Sequence, residues 1–144
     1  MAGNSRFAVS VHILAYLVYR EGAAVPSAEI ASSVDTNPVV IRRLLSALVK
    51  AGLVGTQKGV TGGFSLARNP KDISLRAIYH AVEPKPDCGL KHFAPNRKCP
   101  VGAKIETILH QVLLKAQASM EAELDRVSLA TVHQQLHAAC SARK

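Results

Sequence analysis

A chain of 144 residues has the size of one domain, with room for an appended oligomerisation helix. Hydrophobic residues reach 48% but aromatics only 4%, with no Trp, which argues against single-strand and RNA modules built on stacking platforms. Eighteen Lys and Arg against ten Asp and Glu leave a net charge of +8, a field that favours a polyanion and salt-dependent binding, and three cysteines do not make a disulfide scaffold.

Arg6 to Arg20 reads as the first helix. Phe7, Val11, Leu14 and Val18 form one stripe, widened by Val9, Ile13 and Leu17, so the helix is expected to be buried. His12 is expected to be a satisfied core histidine. The apolar run from Phe7 to Tyr19 is too short to span a bilayer, and no small-residue cleavage site follows it. A cytoplasmic protein with no membrane partner is expected. Glu21 to Pro26 is a connector in which one residue pair could join the sheet that follows.

Ser27 to Ala67 organises the chain. A short helix, Ala28 to Ser33, is expected with Ser27 as its cap, then a tight turn at Asp35-Thr36. Asn37 is a good N-cap and Pro38 fits the first turn of a second helix, which Gly52 ends. Ile41, Leu44, Leu45, Leu48 and Val49 make its apolar stripe. Val39, Arg42, Arg43, Ser46 and Lys50 make the other face, with three cations and no acid. Leu53–Gln57 and Phe64–Ala67 alternate like strands around the glycine-rich tip from Lys58 to Gly63. Helix, short turn, basic helix and hairpin describe a winged helix-turn-helix aimed at the major groove of duplex DNA.

Asn69 to Asp72 is a turn, and Ser74 caps a helix from Leu75 to Val82 with Leu75, Ile78 and Val82 inward. Glu83 to Lys98 is a long polar loop; Cys88 and His92 lie in it and Cys99 at its end. From Val101 to Arg126, Ile105, Leu109, Val112, Ala116, Met120 and Leu124 recur every three to four residues. Such a helix cannot bury its stripe within one small domain, and the natural partner is the same helix of a second copy. Ser128 caps a last helix, Leu129 to Ala139, with Val132 and Leu136 inward; Cys140 to Lys144 is expected to fray. The expected fold is mainly α with a small β-hairpin wing. Residues 1–83 form the DNA-binding domain, 84–100 a sensor-type loop and 101–144 the dimerisation and C-terminal helices.

The residues expected at DNA are Arg6, Ser27, Asn37, Pro38, Val39, Arg42, Arg43, Ser46, Lys58, Gly59, Thr61, Gly62 and Gly63. Arg42 and Arg43 are candidates for base or phosphate, Lys58 and the glycine tip for the minor groove, and Arg6 for backbone phosphate. Arg68 at the base of the wing would also lie near phosphate. An enzyme is not expected. There is no nucleophile elbow, P-loop, HExxH or carboxylate pair, and Gly59 to Gly63 leads into a strand rather than a helix. The rival reading is a winged-helix module that binds RNA or a protein partner and senses nothing.

The chain resembles the Rrf-two family of bacterial winged helix-turn-helix transcriptional regulators. The resemblance rests on Ser5-Arg6-Phe7-Ala8, Ile30-Ala31, Asn37-Pro38, Leu48 and Ala51-Gly52-Leu53-Val54. The wing from Lys58 to Ala67 is its most specific piece, completed by Ile73-Ser74-Leu75, Ile78 and Ala81-Val82-Glu83. It implies a homodimeric repressor with crossed long helices on a partly palindromic operator. Iron–sulfur members of the family resemble one another in three closely spaced loop cysteines. Here the loop offers only Cys88 and Cys99, with Cys140 far away, so further ligands would have to come from His92, Asp87, Glu83 or the partner's His12. An iron–sulfur cluster, a thiol switch at Cys99 resolved by Cys88, and no cofactor or sensor at all stay open at this point.

Overall fold

The computed structural model describes residues 4–83, 90 and 93–142. Among the described residues there are six helices, α1 (Asn4–Tyr19), α2 (Ser27–Val34), α3 (Pro38–Lys50), α4 (Leu75–Val82), α5 (Ile105–Arg126) and α6 (Leu129–Ser141), and one hairpin, β1 (Val54–Gln57) and β2 (Gly63–Leu66), packed against α1 and α3. The hairpin is antiparallel with Val54 opposite Leu66 and Gln57 opposite Gly63. A bridge from Val25 to Phe64 adds one residue pair from the connector, with both N–H···O distances 2.9 Å. The mainly helical fold with a two-stranded wing is the one expected from periodicity.

Local chemistry explains most boundaries. Asn37 caps α3 by accepting from the Val39 N–H at 2.9 Å, and Pro38 opens the helix. Gly52 follows at φ 72°, the left-handed stop that a residue without Cβ takes at no cost. Ser74 and Ser128 cap α4 and α6 through the N–H groups of Ala77 and Thr131, each at 3.1 Å. Asn69 caps a single 3-10 turn at Pro70–Asp72.

Ile13, Leu14, Ile30, Ile41, Leu44, Leu45, Leu48, Leu53, Ile73, Ile78 and Leu129 fill the core, with Val25, Val54 and Val82. The stripe of α3 supplies four of these residues, and Val49 is half-buried beside them. The last helix rejoins this body. Ser74 bridges Ser128, the Leu75 N–H donates to the Val127 carbonyl at 2.9 Å, and the Leu129 N–H to the Ile73 carbonyl at 2.8 Å. These bonds place Leu129 in the core although it lies beyond the long helix.

Five expectations are corrected. Ser27 does not cap α2; Pro26 holds that position and its carbonyl accepts from the Glu29 and Ile30 N–H groups, so the helix starts one residue earlier. His12 is exposed rather than in the core, because it sits on the edge of α1, where its Nε2 lies 3.1 Å from Ser33 Oγ. The long helix starts at Ile105, not Val101; before it the chain forms turns, in which the Cys99 N–H donates to the Asn96 carbonyl and the Lys104 N–H to the Val101 carbonyl, three residues back. Leu136 stands half in solvent at the rim of a groove, since α6 turns only its first residues into the core. Cys140 is inside α6, which runs to Ser141, and not in a frayed tail.

Candidate nucleic-acid interface

The first turn of α3 faces outward because its apolar stripe begins only at Ile41. Asn37, Pro38, Val39, Arg42, Arg43, Ser46 and Lys50 are all exposed. Asn37 spends its side-chain oxygen on the helix start, which fixes the position from which the others project. Arg42, Arg43, Lys50 and Lys58 make no ion pair with another described residue. Arg20 and Arg76, by contrast, are engaged. Arg20 pairs with Glu29, which also accepts from Tyr16 Oη at 2.7 Å, and Arg76 Nε lies 3.4 Å from Glu121 Oε2. Positive charge left unpaired beside a helix N-terminus is free to meet phosphate.

The wing is held against the same body. Lys58, Gly59 and Thr61 are exposed at its tip, Gly62 and Gly63 half-buried at its turn. A Cβ on Gly62 would meet the Gln57 carbonyl oxygen at 2.2 Å, and one on Gly63 the Val25 carbonyl at 2.5 Å. The wing's turn can therefore close only with glycine at position 62, and the wing can lie on the connector only with glycine at position 63. Arg6 is exposed on the first turns of α1, and Ser27 is half-buried at the start of α2. Arg68 turns away from the wing tip toward Gly52 and lines a cleft with Leu17, Val18 and Pro70.

Sequence reasoning passed over two further exposed residues. Val60 at the wing tip has no cover, and Val40, on the edge of the α3 stripe, is partly open. The signal for Val60 was present: an apolar residue among turn-forming glycines has no core to face. Val40 is assigned to neither face of the helix from sequence.

The candidate sensor residues do not come together in the described chain. No three His, Cys, Asp or Glu side chains among the described residues are placed to hold a metal ion. Cys88 and His92 lie outside the described residues. His12 lines a groove of about 250 Å³ between α1 and α6 with His133, His137 and Cys140, not with Cys99. The iron–sulfur expectation therefore finds no donor set among these side chains. Cys99 is exposed in the turns before α5. The backbone N–H of Gly102, and next that of Val101, hold its thiol below the ordinary value by stabilising the thiolate.

Helix α5 has no buried residue over 22 positions. Ile105, Leu109, Leu113, Gln117, Glu121 and Leu124 are half-covered on the side that meets the body. There Gln117 donates to Tyr79 Oη at 3.3 Å and to Glu121 Oε1 at 2.9 Å, and His80 Nε2 lies 2.7 Å from Glu121 Oε2. The other side of the apolar arc, Ile108, Val112, Ala116 and Met120, stands open. No helix among the described residues is long and apolar enough to cross a membrane.

Residues 4–135 match the family model for Rrf2, described as an iron-dependent transcriptional regulator. YwnA of Bacillus subtilis, which carries the name of an HTH-type transcriptional regulator, is 44% identical over 129 residues, covering 90% of this chain and 95% of its own. Among solved structures, IscR of T. potens superimposes with a TM-score of 0.70 at 26% identity, over 93% of this chain and 87% of that one. CymR of B. subtilis, titled a global cysteine regulator, shares the fold at 18% identity with a TM-score of 0.67, over 90% and 94% of the two chains.

Proposed function

Because the chain belongs to the Rrf2 family and is a DNA-binding transcriptional regulator rather than an enzyme, we propose that it works as a cytoplasmic homodimeric repressor on a partly palindromic operator. The observation that carries this is the cationic N-terminal half of α3, exposed and free of ion pairs to the described residues, beside a wing with Lys58 at its tip. In this reading Asn37 to Ser46 enter the major groove, with Ser27 and Arg6 beside the backbone. Arg42 and Arg43 take guanine O6/N7 or phosphate, and Lys58, Gly59, Thr61, Gly62 and Gly63 follow the minor groove. Ile108, Val112, Ala116 and Met120, at the open side of the predicted seam with Ile105, Leu109 and Leu124 at its covered side, pack on the same residues of a second copy. The first 83 residues form the DNA-binding part and residues 101–144 the dimerisation and C-terminal helices.

Binding to a random duplex pool at several salt concentrations tests this. Arg43→Ala is expected to cost about 1–3 kcal/mol and to relax preference at one base pair. Lys58→Ala is expected to lower the salt slope by about one unit. A protein that retains folded RNA and not duplex DNA would overturn the reading.

The same reading places a redox signal at Cys99. Its exposure and the two N–H groups facing its sulfur support a thiol more acidic than an ordinary cysteine, whose thiolate forms more readily. With a peroxide, Cys99 and Cys88 would lose two protons and two electrons to form one S–S bond and two waters. Peroxide should then release DNA from the native protein and not from Cys99→Ser. Charge-transfer bands in protein purified without oxygen, with matching iron and sulfide, would replace this reading by a cluster.

A further inference from the structure

The outward face of α3 carries an aliphatic group that charge does not explain. Val39 is 50% exposed in the first turn, one helical turn before Arg42 and Arg43 and on their side of the helix. Nothing in the fold asks for a branched aliphatic there. The buried stripe starts at Ile41, the cap at Asn37 uses only the backbone N–H of Val39, and β-branched residues are indifferent helix formers. Its χ1 is stiff, so little entropy is lost when it is pressed against a surface.

The major-groove edge of DNA offers hydrogen-bond donors and acceptors at every base pair, and one apolar group, the C5 methyl of thymine. Residues at the N-terminal end of a recognition helix are the ones that reach base edges. We propose that Val39 is a specificity-determining residue that reads a thymine methyl in each half-site. The inference rests on the assignment of α3 as the recognition helix. Arg42 and Arg43 follow three and four residues later, about 4.5–6 Å along the axis, so the thymine lies about one or two base pairs from the pair that an arginine contacts.

The experiment starts from a duplex that the full-length protein selects from a random pool. Each thymine is replaced in turn by deoxyuridine, which removes the methyl and keeps the base pair. Wild-type affinity is expected to fall about fourfold at one thymine per half-site, the fold-change that corresponds to about 0.8 kcal/mol for a buried methyl-sized group. Val39→Ser should bind the thymine and deoxyuridine duplexes equally, and Val40→Ser should retain the wild-type ratio. Equal wild-type binding to every deoxyuridine duplex, a selected site without thymine, or a ratio lost in Val40→Ser and kept in Val39→Ser would each overturn the assignment. Selection of no duplex at all would instead remove the reading of α3 on which it stands.

Discussion

Helices α3 and α5 are both amphipathic, and they end up in opposite situations. Four of the thirteen residues of α3 are buried, while α5 buries none of its 22. The first turns its stripe into a core shared with α1, α2 and α4, and leaves its charged side to solvent. The second lies along α4 through Gln117 and Glu121 and leaves an apolar edge uncovered at Ile108, Val112 and Met120. A helix completed within the chain can give its remaining face to a polyanion. A helix left open requires a second surface, because exposed apolar area is costly in water.

That contrast can be broken from either side. The largest effect is expected at the open helix. Val112→Glu puts a charge in the proposed seam and should leave a folded monomer. Its operator affinity should drop about 10²–10⁴-fold, the range that linking two half-sites contributes. Analytical ultracentrifugation and DNA titration check this, and an intact dimer would place the interface elsewhere. Next comes the closed helix. Leu48→Ala removes a fully buried side chain and should cost about 2–5 kcal/mol of unfolding free energy, measured in urea, with the oligomeric state of the folded fraction unchanged. Asn37→Ala, which deletes the α3 cap, should cost about 1 kcal/mol of unfolding free energy and weaken DNA binding.

The smallest effect concerns the junction of α4 and α5. Hydrogen bonding from Gln117 first, then His80 and Arg76, holds the Glu121 carboxyl below its ordinary value. A carboxylate whose folded pKa is depressed adds stability above its unfolded pKa and loses it as pH falls through the folded value. The wild type should therefore lose this increment over Glu121→Gln in the acid range at and below the usual carboxylate pKa, and differ from it most near neutrality. Parallel stability curves across that range would show the junction to be electrostatically neutral.

Much of the fold was legible because its signals are local. Asn37-Pro38, Gly52, Ser74 and Ser128 mark helix ends by their own hydrogen bonding, and the i, i+3, i+4 stripe of α3 names its buried face. The glycine-rich wing was legible for the same reason at Gly62, which answers to carbonyls of its own turn, whereas the need for Gly63 comes from the distant Val25. Failures came where distant segments decide. His12 looked like a core residue in an apolar helix, and its edge position follows only from how α1 meets α2. Leu136 and Cys140 came out differently because α6 buries only Leu129 in the core, while its later turns line an open groove against α1. The start of α5 came out later because Asn96 to Lys104 close short turns, which apolar periodicity does not distinguish from helix.

By itself, then, the sequence determined which segments are helices, which face of each is apolar, and that a basic helix is followed by a wing. Each of these depends on interactions within a few residues. Tertiary structure decided which apolar faces found a partner in the same chain. Leu129 did, through backbone bonds to Ile73, while Ile108 and Val112 did not. It also decided that His12 meets Cys140 in one groove while Cys99 lies apart. Periodicity states that a surface must be covered; only the packing of distant elements states by what.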